Sequence, residues 1–219
     1  RPYLFSNSLA PAIVGASTLS LGDVAVEIGA GLGTLTSRLL ATGATVIAVE
    51  RERDMCSVLR TELSPSPRFV LREENALHVD LDVISAQYGR RLVLVGNLPY
   101  QIASPLIFRF VAMRQSLRRI VIMIQREMAD RVLAPPGSRN SNALGIQVQM
   151  LCAVRRVCQV GRGAFLPPPR VDSSVILLDP LPQTAVLLLD LDMFHQVVRA
   201  AFGQRRKTLR NALSAAFPD

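Results

Sequence analysis

Short apolar runs alternate with helical stretches through the first four-fifths of the chain. Five runs are typical of buried strands, because they are brief, rich in Val, Ile and Leu, and bounded by polar or turn-forming residues. These runs are Val24–Ile28, Thr45–Val49, Arg68–Leu71, Leu92–Val95 and Ile120–Ile124. Apolar positions at helical spacing lie between them, and these predict helices at Thr34–Ala41, Asp54–Leu63, Ala103–Met113 and Arg126–Leu133. Alternating strands and helices predict an α/β fold with a doubly wound, mostly parallel sheet.

Two more strands are predicted near the end of this region, at Ile146–Val157 and Ser174–Leu178. No clear helical pattern separates them, so we expect an antiparallel pair at the end of the sheet. The pattern changes after Pro182, and Asp192–Phe217 is typical of one or two basic amphipathic helices. We therefore expect one domain over residues 1–182 and the start of a second over residues 183–219.

Composition and charge narrow the function classes. The chain of 219 residues is 49% hydrophobic and carries a net charge of +8, yet no apolar run reaches the length of a membrane span. Residues 1–100 hold 9 basic and 10 acidic residues, whereas residues 101–219 hold 16 and 7. This asymmetry indicates a small-molecule site joined to a face that binds a polyanion. The three cysteines form no C-x-x-C pair, which favours a reducing compartment and no metal site.

A glycine-rich loop follows the first predicted strand. Glu27 precedes Gly29, Gly31 and Gly33, and the next strand ends at Glu50. Glycines let the backbone approach a ligand closely, and the second acid lies at the distance expected for a carboxylate that binds ribose hydroxyls. Such loops bind NAD or S-adenosylmethionine. The spacing differs from G-x-G-x-x-G, and Glu27 could meet the cationic methionine end, so the loop favours the methyl donor.

Asn97-Leu98-Pro99-Tyr100 closes the fourth strand, at the edge of the sheet where ligands bind in α/β folds. The Asn97 side-chain oxygen and the Leu98 carbonyl can each accept an N–H bond from an exocyclic amine. Such bonds would draw the nitrogen towards tetrahedral geometry and aim its lone pair at a methyl group. Pro99 fixes the turn and Tyr100 offers a ring for base stacking. These residue types predict methylation of a base amine.

Several segments together resemble the KsgA-type rRNA adenine dimethyltransferases. They are Glu27–Gly33, Glu50, Asn97–Tyr100, Gln125–Arg131, Pro136–Ser138, Phe165–Ser173 and Ala201–Asn211. The resemblance covers nearly the whole chain. The macrolide-resistance methyltransferases share the first motifs but are less similar to the Phe202–Asn211 segment.

The resemblance implies a class I methyltransferase fold with S-adenosylmethionine as donor. It implies that two adjacent adenines near the 3′ end of small-subunit rRNA are each dimethylated at N6, which aids ribosome maturation. The catalytic residues would be Asn97, Leu98, Pro99, Tyr100 and Phe165, with Phe165 stacking on the base opposite Tyr100. The cofactor would contact Tyr3, Leu4, Glu27, Gly29, Gly31, Gly33, Glu50, Arg51, Asn75, Ala76 and Asn97.

The same resemblance suggests where RNA binds. Residues 1–182 would form the cofactor-binding catalytic domain, and residues 183–219 would begin a basic helical RNA-binding domain that continues further in the family. Independently of the resemblance, Arg205, Arg206 and Lys207 form a dense basic cluster, and with Arg210 they would contact phosphate. We expect a ribosome-associated monomer in the bacterial cytoplasm or the mitochondrial matrix.

Three positions depart from the family pattern. Asn75 stands where the family has an Asp that receives the adenine amino group of the cofactor. Its carbonyl oxygen can accept the same bond, but without charge. Arg1 replaces a Gln, and Ser141-Asn142 replaces Tyr-Gly. These differences predict weaker cofactor binding.

The departures leave a second function class open, a non-catalytic RNA- or DNA-binding relative. It would be a ribosome assembly factor or a protein similar to mitochondrial transcription factor B. A DNA adenine methyltransferase is disfavoured by Leu98, because the related tetrapeptide there begins Asp/Asn-Pro-Pro-Tyr. An NAD-dependent enzyme fits least well.

Overall fold

The computed structural model describes residues 3–4, 9–182, 190–204 and 207–217. Its strands are β1 (Tyr3–Leu4), β2 (Val24–Ile28), β3 (Thr45–Glu50), β4 (Phe69–Glu73), β5 (Leu92–Asn97), β6 (Leu117–Gln125), β7 (Cys152–Val160), β8 (Phe165–Leu166) and β9 (Ser173–Pro180). Its α-helices are α1 (Leu9–Ser17), α2 (Thr34–Leu40), α3 (Arg53–Leu63), α4 (Leu81–Tyr88), α5 (Ala103–Ala112), α6 (Arg126–Leu133), α7 (Ala143–Leu151), α8 (Leu191–Gly203) and α9 (Leu209–Ser214). Across these ranges, no helix is both long and apolar enough to cross a membrane.

The order of the seven-stranded sheet creates the site. The order is β4-β3-β2-β5-β6-β9-β7, and β2 to β6 run parallel. From β2 the chain builds outwards to β4, then returns to place β5 on the other side of β2. Ligands of open α/β sheets bind at such a reversal, outside the carboxyl ends of the strands. The expected doubly wound fold is confirmed.

The end of the sheet is antiparallel, as expected. β9 pairs antiparallel with both β6 and β7, with Ile122 opposite Ile176. The predicted strand at Ile146–Val157 is wrong over its first part, where the structure has α7. Asn142 caps this helix by accepting a bond from the Gly145 N–H at 3.0 Å. Short apolar runs fit either a helix or a strand, and here the cap and the packed face decide the outcome.

Apolar side chains on the two faces of the sheet form two cores. On β5, Leu92 and Leu94 join the cluster beneath α4 to α7, whereas Val93 and Val95 join the cluster beneath α1 and α2. Helices α1 and α4 were not predicted from the sequence. Strands covered on both faces carry continuous apolar runs, and this accounts for the clear strand predictions.

The region after Pro182 is helical in its described part, as predicted. Asp190 caps α8 by accepting a bond from the Met193 N–H at 2.9 Å, and Thr208 caps α9 in the same way. Val198 and Ala212 are buried, and Leu191 packs against the core beneath α4 to α7.

Candidate active site

A cavity of about 450 Å³ opens at the carboxyl ends of the central strands. Its volume is within the range typical of small-molecule sites. The lining comes from four chain segments that the sheet order brings together. They are Ile28–Gly29, Val49–Glu52, Glu74–Ala76 and Asn97–Ile102.

The glycine loop forms one wall of the cavity. Gly29 lines the cavity with φ of 74°, and its N–H donates to the Val49 carbonyl at 2.9 Å. Gly33 has φ of 81° at the start of α2, where a Cβ would come within 3.0 Å of the Leu59 side chain. Only Gly29 of the three predicted glycines lines the cavity. Gly31 and Gly33 both have positive φ angles and so allow the loop to turn.

Glu50 holds this loop in place. Its carboxylate accepts bonds from the N–H groups of Gly31 at 3.0 Å, Arg51 at 2.7 Å and Glu52 at 3.0 Å. The side chain is buried, and it lines the cavity. Glu50 thus combines two tasks, because it stabilises the loop and places negative charge at the expected ribose position.

Glu27 is buried and is not among the residues that line the cavity. Burial raises the pKa of Glu27 to about 8, the nearby charge of Glu50 raises the pKa further, and the Thr36 hydroxyl opposes both effects. Within the described part of the chain, the Glu27 Oε2 atom has no hydrogen-bond partner. A nearby cation stabilises the ionised form of a buried carboxyl that has no other partner. The position of Glu27 before the loop therefore fits the sulfonium or ammonium of S-adenosylmethionine.

The Asn97–Tyr100 segment forms the opposite wall. Gly96 lets β5 approach β2 closely, because a Cβ at this position would lie 2.8 Å from the Ile28 carbonyl oxygen. The Leu98 N–H donates to the Met123 carbonyl at 3.1 Å, and the Leu98 side chain is buried. Asn97 itself lines the cavity.

Tyr100 is tied to a distant strand. Its hydroxyl lies 2.8 Å from the Ser173 Oγ atom, the two residues being 73 positions apart in the chain. Ser173 is fully buried at the start of β9. Sequence reasoning missed this contact, although Ser173 ends one of the segments that carry the family resemblance.

The departure at Asn75 falls in the cavity. Asn75, Ala76 and the exposed Arg51 all line it. The Asn75 Oδ1 atom accepts a bond from the Leu77 N–H at 3.1 Å. A carbonyl oxygen has two lone pairs, so one remains for a ligand.

Other predicted residues lie away from the cavity lining. Phe165 is 4% exposed and packs in the core with Val160 and Val175, so its ring presents little surface to a base. Its strand β8 pairs with β1, which sets the Tyr3–Leu4 backbone beside it. The side chains of Tyr3 and Leu4 lie outside the described part of the chain.

Two of the predicted phosphate contacts are described and two are not. Lys207, just before α9, and Arg210, on α9, are both exposed. Arg205 and Arg206 lie outside the described residues.

Comparison with known proteins identifies the family. The family model for ribosomal RNA adenine dimethylase matches residues 1–219. A protein of Anaeromyxobacter sp. (strain K) named ribosomal RNA small subunit methyltransferase A is 46% identical over 205 residues, which cover 89% of this chain and 70% of that protein. The protein with the same name in Magnetococcus marinus is 39% identical and covers 99% of this chain and 78% of its own length.

Solved structures give the same result. The crystal structure of a dimethyladenosine transferase from Plasmodium falciparum superposes with a TM-score of 0.83 at 31% identity, covering 96% of this chain and 74% of that one. The 23S rRNA methyltransferase ErmE shares the fold, with a TM-score of 0.79 at 21% identity over 99% of this chain and 85% of its own. The chain therefore belongs to the ribosomal RNA adenine dimethylase family and is an S-adenosylmethionine-dependent methyltransferase.

Proposed function

We propose that this chain dimethylates the N6 amines of two adjacent adenines near the 3′ end of small-subunit rRNA. The observation that carries the proposal is the position of Asn97, which lines the same cavity as Gly29 of the glycine loop and Glu50. The names of the bacterial relatives support the small subunit as the source of the RNA.

The polar groups of Asn97 and Leu98 account for catalysis without a tuned base. An adenine amine is a weak nucleophile because its lone pair is delocalised into the ring. Hydrogen bonds from this amine to the Asn97 Oδ1 atom and the Leu98 carbonyl favour a pyramidal nitrogen, and so stabilise the transition state more than the ground state. Tyr100 supplies the surface on which the extruded base stacks. When bound, S-adenosylmethionine supplies the electrophilic methyl group.

The other wall would hold the cofactor. Glu50 would bind the ribose hydroxyls, Asn75 and Ala76 the adenine, and Glu27 would favour the cationic methionine end. Arg51, Tyr3 and Leu4 join this set by resemblance to the family.

The helical region would bind the RNA backbone. We assign this role to residues 183–219, with Arg205, Arg206, Lys207 and Arg210 at phosphates. Phe165 stays a predicted second stacking surface, which would require its ring to leave the core. The chain would act as a monomer beside the ribosome, in the bacterial cytoplasm or the mitochondrial matrix.

The test is methyl transfer to small ribosomal subunits from a strain that lacks this modification. The full chain, labelled S-adenosylmethionine and these subunits should yield N6,N6-dimethyladenosine at two adjacent positions near the rRNA 3′ end, measured by mass spectrometry of RNA fragments. Large subunits serve as the control. Label found only in large-subunit RNA, or in neither RNA, would contradict the proposal.

The RNA-binding role has its own test. Replacing Arg205, Arg206 and Lys207 by Ala should flatten the salt dependence of RNA binding by about two to three units of slope, since each lost phosphate contact removes nearly one unit. An unchanged slope would mean that these three residues do not contact RNA phosphates. The family match does not favour the non-catalytic alternative.

A further inference from the structure

The hydrogen bond between Tyr100 and Ser173 joins the predicted base-stacking ring to the rigid part of the fold. The two oxygens lie 2.8 Å apart. Tyr100 is half-buried and begins a short 3-10 turn, Tyr100–Ile102, directly after Pro99. The hydroxyl lies on the long axis of the ring, so the bond fixes the direction in which this axis points and restricts rotation about χ1 of Tyr100.

Ser173 is a fixed anchor for this bond. It is fully buried and has a strand neighbour on each side, Gln125 on β6 and Val160 on β7. Backbone that is paired on both sides moves less than loop backbone does. The Ser173 hydroxyl therefore defines a position to which the ring of Tyr100 is held.

The residue before Ser173 reinforces the anchor. The Asp172 carbonyl accepts a bond from the Arg126 N–H at 3.0 Å, and its carboxylate accepts one from the Arg162 N–H at 3.2 Å. The Arg126 guanidinium lies 3.6 Å from the same carboxylate. The chain entering β9 is thus tied to the start of α6 and to the turn before β8.

We propose that Ser173 is a positioning residue for methyl transfer, which sets the direction in which the Tyr100 ring points so that an extruded adenine stacks with its amine beside Asn97. This inference rests on the proposed function, because it needs a base in the cavity. It gives the last residue of the Phe165–Ser173 segment a role that it exerts through Tyr100.

A double-mutant cycle tests the bond. Ser173→Ala removes one partner, and Tyr100→Phe removes the other while keeping the ring. Each should slow single-turnover methyl transfer to small-subunit RNA by roughly 2- to 10-fold, the size of one net hydrogen bond. The double variant should be no slower than the slower single variant, because the same bond is lost in all three.

Ser174→Ala is the matched control. Ser174 is the next residue, is equally buried, and within the described residues its Oγ atom has no hydrogen-bond partner. This variant should transfer methyl groups at the wild-type rate. A loss equal to that of Ser173→Ala, or additive losses in the cycle, would overturn the proposal.

A second measurement separates positioning from folding. 2-Aminopurine in place of a target adenine keeps the ring face but lacks the N6 amine, so it reports stacking on Tyr100 alone. Stacking should quench the probe, and the chain has no tryptophan to obscure it. Ser173→Ala and Tyr100→Phe should both restore emission, while the affinity for S-adenosylmethionine stays unchanged.

The outcomes distinguish the two proposals. An active wild-type chain whose Ser173→Ala variant matches it in rate and quenching would overturn the positioning role alone. A wild-type chain that neither transfers methyl groups nor quenches the probe would overturn both proposals.

Discussion

The proposed cofactor wall (Ile28–Gly29, Val49–Glu52 and Glu74–Ala76) and the proposed base wall (Asn97–Ile102) hold their polar groups in different ways. On the cofactor wall, Glu50 accepts three backbone N–H groups that all lie within 19 residues of it. On the base wall, Tyr100 is held by Ser173, 73 residues away. The first wall is a local structure of a loop and two strand ends, and the second depends on the assembled sheet.

The two walls also differ in charge. The cofactor wall concentrates carboxylates, with Glu27 and Glu50 buried and Glu52 and Glu74 in the lining. The base wall, from Asn97 to Ile102, contains no charged side chain. Charge on one side suits a cationic donor, whereas neutral acceptors on the other suit an uncharged amine. Cofactor binding and methyl transfer are thus assigned to different walls. Variants of one wall should change cofactor affinity, and variants of the other should change the rate of methyl transfer.

Asn97→Ala should give the largest effect on the rate of the reaction. A preorganised group that acts mainly in the transition state contributes on the order of 3 kcal/mol, so the rate should fall about a hundredfold. The affinities for cofactor and RNA should change little. Single-turnover transfer to a small-subunit rRNA fragment measures the rate, and calorimetry measures cofactor affinity.

The first of the two methyl transfers is the sharper test of Asn97. An unmodified amine has two N–H bonds, one each for Asn97 and Leu98, whereas the monomethylated amine has one. A variant rate near that of the wild type would mean that Asn97 only shapes the turn.

Glu50→Ala should change the other quantity, cofactor affinity. Hydrogen bonds to a charged group contribute about 1.5–3 kcal/mol each, so affinity should fall tenfold or more. Glu50→Gln is the control, because it keeps an acceptor oxygen while losing the charge. We expect its cofactor affinity to lie between those of the wild type and Glu50→Ala. Calorimetry on variants whose folding has been checked by circular dichroism decides, and equal affinities would remove Glu50 from the site.

The same contrast explains what the sequence could predict. Gly29 follows buried strand β2 and Glu50 ends the neighbouring strand β3, so their convergence in the cavity follows from strand order. The expected fold was predicted because β2, β5 and β6 contain nearly continuous apolar runs. The antiparallel end was predicted because no helical pattern separates the last two strands.

The contacts of the base wall could not be predicted in this way. The register of β9 determines that Ser173 reaches Tyr100, and register is a tertiary property. Phe165 could not be placed from the sequence either, because an aromatic residue before a proline loop fits both a stacking surface and a core. In the structure its ring lies in the core. Helix α7 was read as a strand because only its cap at Asn142 and its neighbours distinguish the two.

Glu27→Gln should reveal the raised pKa of this buried carboxyl through the pH dependence of stability. The pKa of Glu27 is about 8 in the folded chain and near 4.5 when unfolded. Between these values the unfolded state loses the proton first, so wild-type stability should fall as pH rises, by up to about 1.4 kcal/mol per pH unit. Below pH 4.5 the carboxyl is protonated in both states and this dependence ends.

The measurement is the difference in melting temperature between Glu27→Gln and the wild type across this pH range. The melting temperature of Glu27→Gln should increase relative to that of the wild type as pH rises. Asn97→Ala, which changes the uncharged wall, should follow the wild-type pH dependence. A difference that does not vary with pH would show that Glu27 is ionised throughout.

Asn75→Asp should have the smallest effect, and in the opposite direction, because it restores the acid that the family has at this position. The Asn75 Oδ1 atom already accepts the Leu77 N–H, so the neutral side chain has one acceptor lone pair left for the adenine amino group. A carboxylate can keep the Leu77 bond with one oxygen and offer the second, charged oxygen to the cavity. The difference between a neutral and a charge-assisted bond is about 1 kcal/mol, so affinity should rise about fivefold. Calorimetry with S-adenosylhomocysteine measures it without turnover, and Asn75→Ala, which loses both bonds, should bind more weakly than the wild type. An Asp variant that binds no better would show that the cofactor adenine is held by other groups, and that this wall does not depend on charge at residue 75.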